Sequence, residues 1–121
     1  MRAALSLALV CAVVVAAKAD PLPVKVGQCS ITKIKVVETR LEGAPDSGSA
    51  VEYVNGGAQV SYDTVLAITH SRKGDVVQLC LTELPKNCPP GDNRGKIYSA
   101  KNMRTGGTWE LPDSEHSCGG A

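Results

Sequence analysis

The chain has 121 residues, with 13 lysines and arginines against 12 aspartates and glutamates, for a formal net charge of +1. This balance excludes the strongly basic surface that is typical of nucleic-acid-binding domains, so no nucleic-acid partner is expected. One Trp, three Tyr and no Phe are present, so a core must consist mainly of aliphatic side chains.

The first nineteen residues have the pattern of an export signal. A positively charged start precedes an almost unbroken apolar run at 3–17, and the triplet Ala17-Lys18-Ala19 has the small-x-small form of a cleavage site. We therefore predict a cleaved signal peptide at 1–19 and a single β domain at 20–121, periplasmic or secreted. The run is too short to span a membrane and no second run follows, so we expect no transmembrane segment after cleavage.

Export sets the chemistry of the cysteines. Cleavage removes Cys11 and leaves an even set of four, which in an oxidising compartment predicts two disulfides: Cys29, Cys80, Cys88 and Cys118. Three pairings are possible, and the simplest joins Cys80 to Cys88 and Cys29 to Cys118. Cleavage also leaves 11 basic and 12 acidic residues, a net charge of −1.

The first half of the domain predicts strands. In residues 29–41, β-branched and charged residues alternate, which indicates a strand. Residues 43–48 contain Gly, Pro, Asp and Ser and predict a loop. Residues 49–54 and 58–70 flank Asn-Gly-Gly, which supplies the positive φ angles of a tight hairpin. Alternation in 58–70 predicts one strand with the even-numbered apolar positions facing the core: Ala58, Val60, Tyr62, Leu66 and Ile68.

The second half continues this pattern. Residues 76–84 place Val77, Leu79 and Leu81 on one face, and a second hairpin would join them to 58–70 as a three-stranded meander. Residues 96–100 and 108–111 flank a glycine-ended loop and predict a third hairpin. No stretch has a sustained helical period. We predict an all-β fold, a small antiparallel sandwich or barrel of about six short strands stapled by disulfides.

The loop at 85–95 is the first candidate binding surface. Two prolines follow Cys88 and restrict φ, and Asp92 and Asn93 favour turns. A stiff exposed loop beside a disulfide loses little entropy on binding. The alternative is a structural crossover between strands.

Four segments of the C-terminal third carry a resemblance: CPPGDNRG at 88–95, NMRTG at 102–106, WELPDSEH at 109–116 and CGGA at 118–121. Together they resemble a group of small exported bacterial proteins that is itself uncharacterised. The resemblance implies a periplasmic or secreted location in a bacterium, and it implies no activity, ligand or catalytic residue.

Basic residues are concentrated in the same third of the chain. Five of them surround one acid, Asp92: Lys86, Arg94, Lys96, Lys101 and Arg104. If the loop and the last hairpin lie together, they form a patch for an acidic protein, an anionic glycan or a lipid headgroup; otherwise they are a solvated hairpin face. Trp109 is either an exposed anchor or, as the absence of Phe favours, the largest core residue.

The catalytic alternatives have weaker support. His70, His116 and Asp113 could form a hydrolase or metal site only if the fold brings them together. No Gly-x-Ser-x-Gly, phosphate-loop or dinucleotide motif occurs, and the cysteine spacing does not fit zinc or Cys-x-x-Cys chemistry. We expect no cofactor and no resident metal.

These observations favour an exported, non-enzymatic binding module over an enzyme. Its loop and nearby basic residues would meet an envelope or extracellular protein, or a polyanion, through Lys86, Pro89, Pro90, Asp92, Arg94, Lys96, Arg104 and Trp109. The small hydrolase or metal protein is the first alternative, and a structural envelope protein without a discrete site is the second.

Overall fold

Six antiparallel strands and one short helix make up the part of the chain that the computed structural model describes, residues 3–4, 8, 19–113 and 116–120. The predicted signal peptide lies almost wholly outside these residues. The strands form one sheet, curled into a half-barrel, in the order β3-β2-β1-β4-β5-β6. Their bounds are β1 Cys29–Thr39, β2 Ser49–Tyr53, β3 Ala58–Ser61, β4 Val76–Glu83, β5 Ile97–Asn102 and β6 Thr108–Pro112, with helix α1 at Leu66–Thr69. The predicted all-β class and strand number are confirmed.

The long first strand produces the curl. The first half of β1 pairs with β4, from Cys29 opposite Cys80 to Lys33 opposite Val76. Its second half pairs with β2, and a register shift between Ile34 and Val36 marks the change of partner. A bulge bends a strand and increases its twist, so the irregularity in β1 turns the two halves of the sheet toward each other.

The segment before β1 follows the free edge of that strand's first half. The Asp20 amide donates to the Ile31 carbonyl at 2.9 Å, and the Asp20 carboxylate accepts from the Ile31 amide at 2.9 Å. Ser30 donates its hydroxyl proton to the carbonyl of Pro21. The chain is therefore attached to the sheet from Asp20 onward.

The prediction of one strand over 58–70 is wrong in length and in orientation. Strand β3 ends at Ser61, and α1 follows at Leu66–Thr69. Hairpin pairing with β2 sets Gln59 opposite the buried Val51, so Gln59 faces the core and Tyr62 is exposed. Apolar alternation misleads here because a buried glutamine is tolerated when all its polar atoms are hydrogen-bonded.

The predicted meander is also wrong. Strand β4 pairs with β1 and β5 rather than with β3, so the chain must cross the end of the half-barrel between β3 and β4. Helix α1 makes that crossing and buries Ile68. The Asn-Gly-Gly hairpin of β2 and β3 and the hairpin of β5 and β6 are both confirmed.

The core lies on the concave face of the sheet. The inward residues of β4 are Val77, Leu79 and Leu81, as predicted, and Trp109 is 6% exposed, which confirms it as a core residue. The other buried apolar side chains are Ile34, Val51, Tyr53, Ile68, Tyr98 and Ala100.

Gln59 joins the two edges of the sheet from within this core. Its carbonyl oxygen accepts from the Tyr53 hydroxyl at 2.6 Å and from Trp109 Nε1 at 2.9 Å. Its amide nitrogen donates to the carbonyl oxygens of Tyr98 and Leu111 at 2.8 and 3.0 Å. Burial raises the pKa of Tyr53, which keeps its hydroxyl protonated as a donor. The amide therefore uses its full hydrogen-bonding capacity to link β3 with β5 and β6.

A second polar cluster closes the end of the sheet where α1 lies. The buried carboxylate of Asp75 accepts from Arg104 Nε at 2.7 Å and Nη2 at 2.9 Å, and from Asn102 at 2.9 Å. Asn102 also donates to the hydroxyl of Ser71 at 2.9 Å. The cluster ties the loop that precedes β4 to the turn between β5 and β6.

Two disulfides are confirmed, but the simplest pairing is wrong. Cys29 is bonded to Cys80, and Cys88 is bonded to Cys118. The first bridge joins residues directly opposite each other in β1 and β4, on the outer face of the sheet. The neighbouring cysteines Cys80 and Cys88 cannot pair because strand register has already given Cys80 a closer partner.

We expect Gln59→Met to lower the free energy of unfolding by about 2–4 kcal/mol, because the buried donors of Tyr53 and Trp109 would lose their acceptor. Denaturant unfolding measures this. The matched control is Gln78→Met on the exposed outer face of β4, where a change within about 0.5 kcal/mol is expected. Equal stability of the two variants would contradict the assigned role of Gln59.

Acid should selectively remove the stabilisation that Asp75 provides. The hydrogen bonds from Arg104, supported by Asn102 and the Arg72 amide, hold the pKa of Asp75 well below its usual range despite burial. A lowered native pKa contributes stability that is complete above the unfolded value of about 4 and is lost as the pH falls toward the native value. The stability difference between wild type and Asp75→Asn should thus be largest near neutral pH and shrink below about pH 4. Unfolding curves from pH 7 to pH 2 test this, and a constant difference would contradict it.

Candidate functional site

The loop at 85–95 contains a tight turn built by its prolines and glycine. The Asp92 amide donates to the Pro89 carbonyl at 3.0 Å, which closes a four-residue turn. Pro90 occupies the second position and Gly91, with φ of 81°, the third. Proline followed by a residue of positive φ is the signature of a type II turn, so the local sequence determines this conformation.

An ion pair inside the loop holds that turn against the C-terminal tail. Arg94 donates through Nε and Nη2 to the two carboxylate oxygens of Asp92, each at 3.0 Å. The same Nη2 donates to the Gly120 carbonyl at 3.0 Å, and the Gly119 amide donates to Asp92 Oδ2 at 3.0 Å. The Arg94 hydrogen bonds hold the pKa of the Asp92 carboxyl well below its usual range. The pair therefore stays charged and clamps loop to tail.

Covalent and backbone links complete the attachment. Cys88 and Cys118 join the loop to the tail, and the Cys118 amide donates to the Arg94 carbonyl at 3.1 Å. Asp113 Oδ1 accepts from the Gly95 amide at 2.8 Å. We call this group of contacts the loop clamp: the disulfide, the Asp92–Arg94 pair and the Asp113 hydrogen bond.

The clamp leaves the convex side of the loop in solvent. The exposed residues are Lys86, Asn87, Pro89, Pro90, Gly91 and Asn93. Leu84, where the loop leaves β4, is 42% exposed. Asn87 has a positive φ of 57°, a conformation that asparagine tolerates better than most residues. The result is a preformed, largely uncharged surface that contains one lysine and is held in place by the loop clamp.

The basic residues predicted to surround the loop do not form one cluster. Arg94 is engaged by Asp92, and Lys96 is half-buried beside it. Arg104 follows the far end of β5, whose six residues span about 20 Å, and it pairs there with Asp75. Trp109 is in the core. Of the predicted binding residues, the fold brings Lys86, Pro89, Pro90, Asp92, Arg94 and Lys96 together.

The histidines lie at opposite ends of the sheet. His70 follows α1, and its carbonyl accepts from Arg104 at 3.2 Å. His116 belongs to the tail beside the loop clamp, on the same end as Asp113. Within residues 19–113 and 116–120, no three His, Cys, Asp or Glu side chains are grouped as metal ligands.

A surface hollow of about 330 Å³ lies on the outer face of β4, β5 and β6. The hollow is lined by side chains on the exposed face of the sheet, among them Gln78, Ser99, Lys101 and Glu110. Among the described residues that line it there is no histidine to activate Ser99 as a nucleophile.

From the sequence, Asp113 and His116 are candidates only for a catalytic or metal site, and nothing connects the tail with the loop. Asp113, Gly119 and Gly120 act on the loop through hydrogen bonds that join residues 18 to 27 positions apart. The Gly-Gly pair that follows Cys118 is a local signal for a turn, but it does not identify the loop as the partner of the tail.

In the described part of the chain, no helix is long and apolar enough to cross a membrane. Comparison with protein-family models, with curated proteins and with solved structures found no match.

Proposed function

We propose that the protein is an exported, non-enzymatic binding module whose loop at 85–95 docks onto a protein partner in the bacterial envelope or the surrounding medium. The observation that carries this proposal is the loop clamp, which fixes an exposed loop by a disulfide, a bidentate ion pair and several backbone hydrogen bonds. Ordering a flexible loop opposes association, and the clamp has already met that cost in the free protein.

The charge distribution favours a protein partner over a polyanion at this surface. Asp92 neutralises Arg94, and Arg104 lies at the other end of the sheet. The exposed tip then offers Lys86 and two prolines, which suit a shaped pocket better than a row of phosphates.

Two disulfides support a location outside the reducing cytoplasm. The attachment of the chain to the sheet from Asp20 onward supports export as well, because Asp20 is the residue that the predicted cleavage would expose. A periplasmic or secreted location in a bacterium is part of the proposal.

The first test is capture of a partner from envelope extract by the immobilised, exported protein. Lys86→Ala and Pro90→Ala should each weaken retention of one reproducible partner by about tenfold, since truncation of a central contact typically costs more than 1 kcal/mol. Lys101→Ala, on the outer face of β5, removes the same charge at a distance from the loop and should leave retention unchanged. Retention that is equal for all four proteins would refute the loop hypothesis.

The second test separates loop order from direct contact. Arg94→Ala should weaken retention of the same partner by about tenfold, because the clamp opens. It should also speed hydrogen exchange at the Gly119 and Cys118 amides, which donate within the clamp. Arg94→Lys keeps the charge but not the bidentate geometry, so it should behave like Arg94→Ala. If Arg94→Lys instead binds like wild type, the charge of Arg94 contacts the partner directly, and the order imposed by the clamp does not determine binding.

A further inference from the structure

Four basic residues lie in two turns at the end of the sheet opposite the loop. His70, Arg72 and Lys73 lie between α1 and β4, and Arg104 lies in the turn between β5 and β6. Asp75 links two of them: it binds Arg104 through both carboxylate oxygens, and its Oδ1 lies 4.0 Å from Arg72 Nε. We call this set the basic end.

Positive charge exceeds negative charge at the basic end. Asp75 is the only acidic residue in the segments 70–75 and 102–107, which together contain three permanently charged cations, Arg72, Lys73 and Arg104. Its carboxylate is buried, whereas the Arg72 side chain is 71% exposed and that of Arg104 is 40% exposed. The buried carboxylate of Asp75 thus holds Arg104 and lies close to Arg72. Three cations and one acid leave a net charge of +2 in these two segments.

The backbone that carries these residues is fixed. The Asp75 amide donates to the Arg72 carbonyl at 3.1 Å, and the Arg72 amide donates to Asp75 Oδ2 at 3.0 Å. Gly74 occupies the third position of this turn with φ of 91°, and its amide donates to Ile34 of β1 at 2.8 Å. Arg104 is held by Asp75 and by the His70 carbonyl. The cations are therefore presented together by two braced turns.

We propose that the basic end is a binding surface for the phosphate or sulfate groups of an extracellular polyanionic polymer. Guanidinium groups bind the oxygens of such groups with two parallel hydrogen bonds, and lysine adds a mobile charge. An exposed cation gains little from a single anion, so several adjacent cations favour a ligand that repeats its charge. The surface is independent of the loop proposed above, because the length of the sheet separates them.

The test uses heparin and long-chain polyphosphate as the polymer probes, with inorganic phosphate and vesicles of phosphatidylglycerol as the other sources of the same chemistry. The exported protein should bind both polymers at low salt although its net charge is close to zero. Arg72→Gln combined with Lys73→Gln should reduce the salt dependence of binding to polyphosphate by roughly one unit of log-log slope per removed cation. Arg104 stays unchanged because its loss would leave Asp75 buried without its partner.

The matched control is Lys25→Gln combined with Lys86→Gln, which removes two exposed lysines near the opposite end of β4, away from the basic end. This control should bind the polymers like wild type, and so should Lys86→Ala, which keeps the outcome separate from that of the loop proposal. Thermal unfolding checks that the variants are folded, and Lys73→Gln alone serves if the double variant is not. Equal loss in the control, binding to vesicles alone, binding of inorganic phosphate alone, or no polymer binding by wild type would overturn the proposal.

Discussion

Gln59 supplies the contact between the two edges of the sheet. Strands β3 and β6 approach each other, but they are the two ends of the strand order, and the amide of Gln59 links them through hydrogen bonds to both sides. Because those bonds lie in a buried site, each lost partner would cost more than a bond at the surface. The burial of Trp109, whose indole N–H donates to Gln59, depends on that closure.

Polar contacts rather than a large core define this small fold at both of its ends. At one end, Asp75 gathers the turns around Arg104, and at the other, Asp92 and Arg94 clamp the loop to the tail. One disulfide, Cys29–Cys80, joins β1 to β4 within the sheet, and the other, Cys88–Cys118, lies in the loop clamp. A core without Phe has few large side chains to bury, so specific polar contacts and covalent links supply a greater part of the order.

The two ends offer different chemistry to partners. The loop end presents a shaped, weakly charged tip whose arginine is already engaged, which suits a protein. The basic end presents arginines and a lysine around one buried carboxylate, which suits repeated anionic groups. If both proposals hold, the protein joins a protein partner to an anionic polymer, and the variants above address each surface without altering the other.

The sequence by itself determined the β class, the two glycine-rich hairpins and the inward face of β4, because each depends on neighbouring residues. It also determined that four cysteines would form two bridges. Only the tertiary structure decided the partner of each cysteine, the inward position of Gln59 and the separation of Arg104 from Arg94. Those features depend on which strands become neighbours, and strand order is set by the bulge in β1 and by the crossing at α1, which apolar periodicity along the chain does not encode.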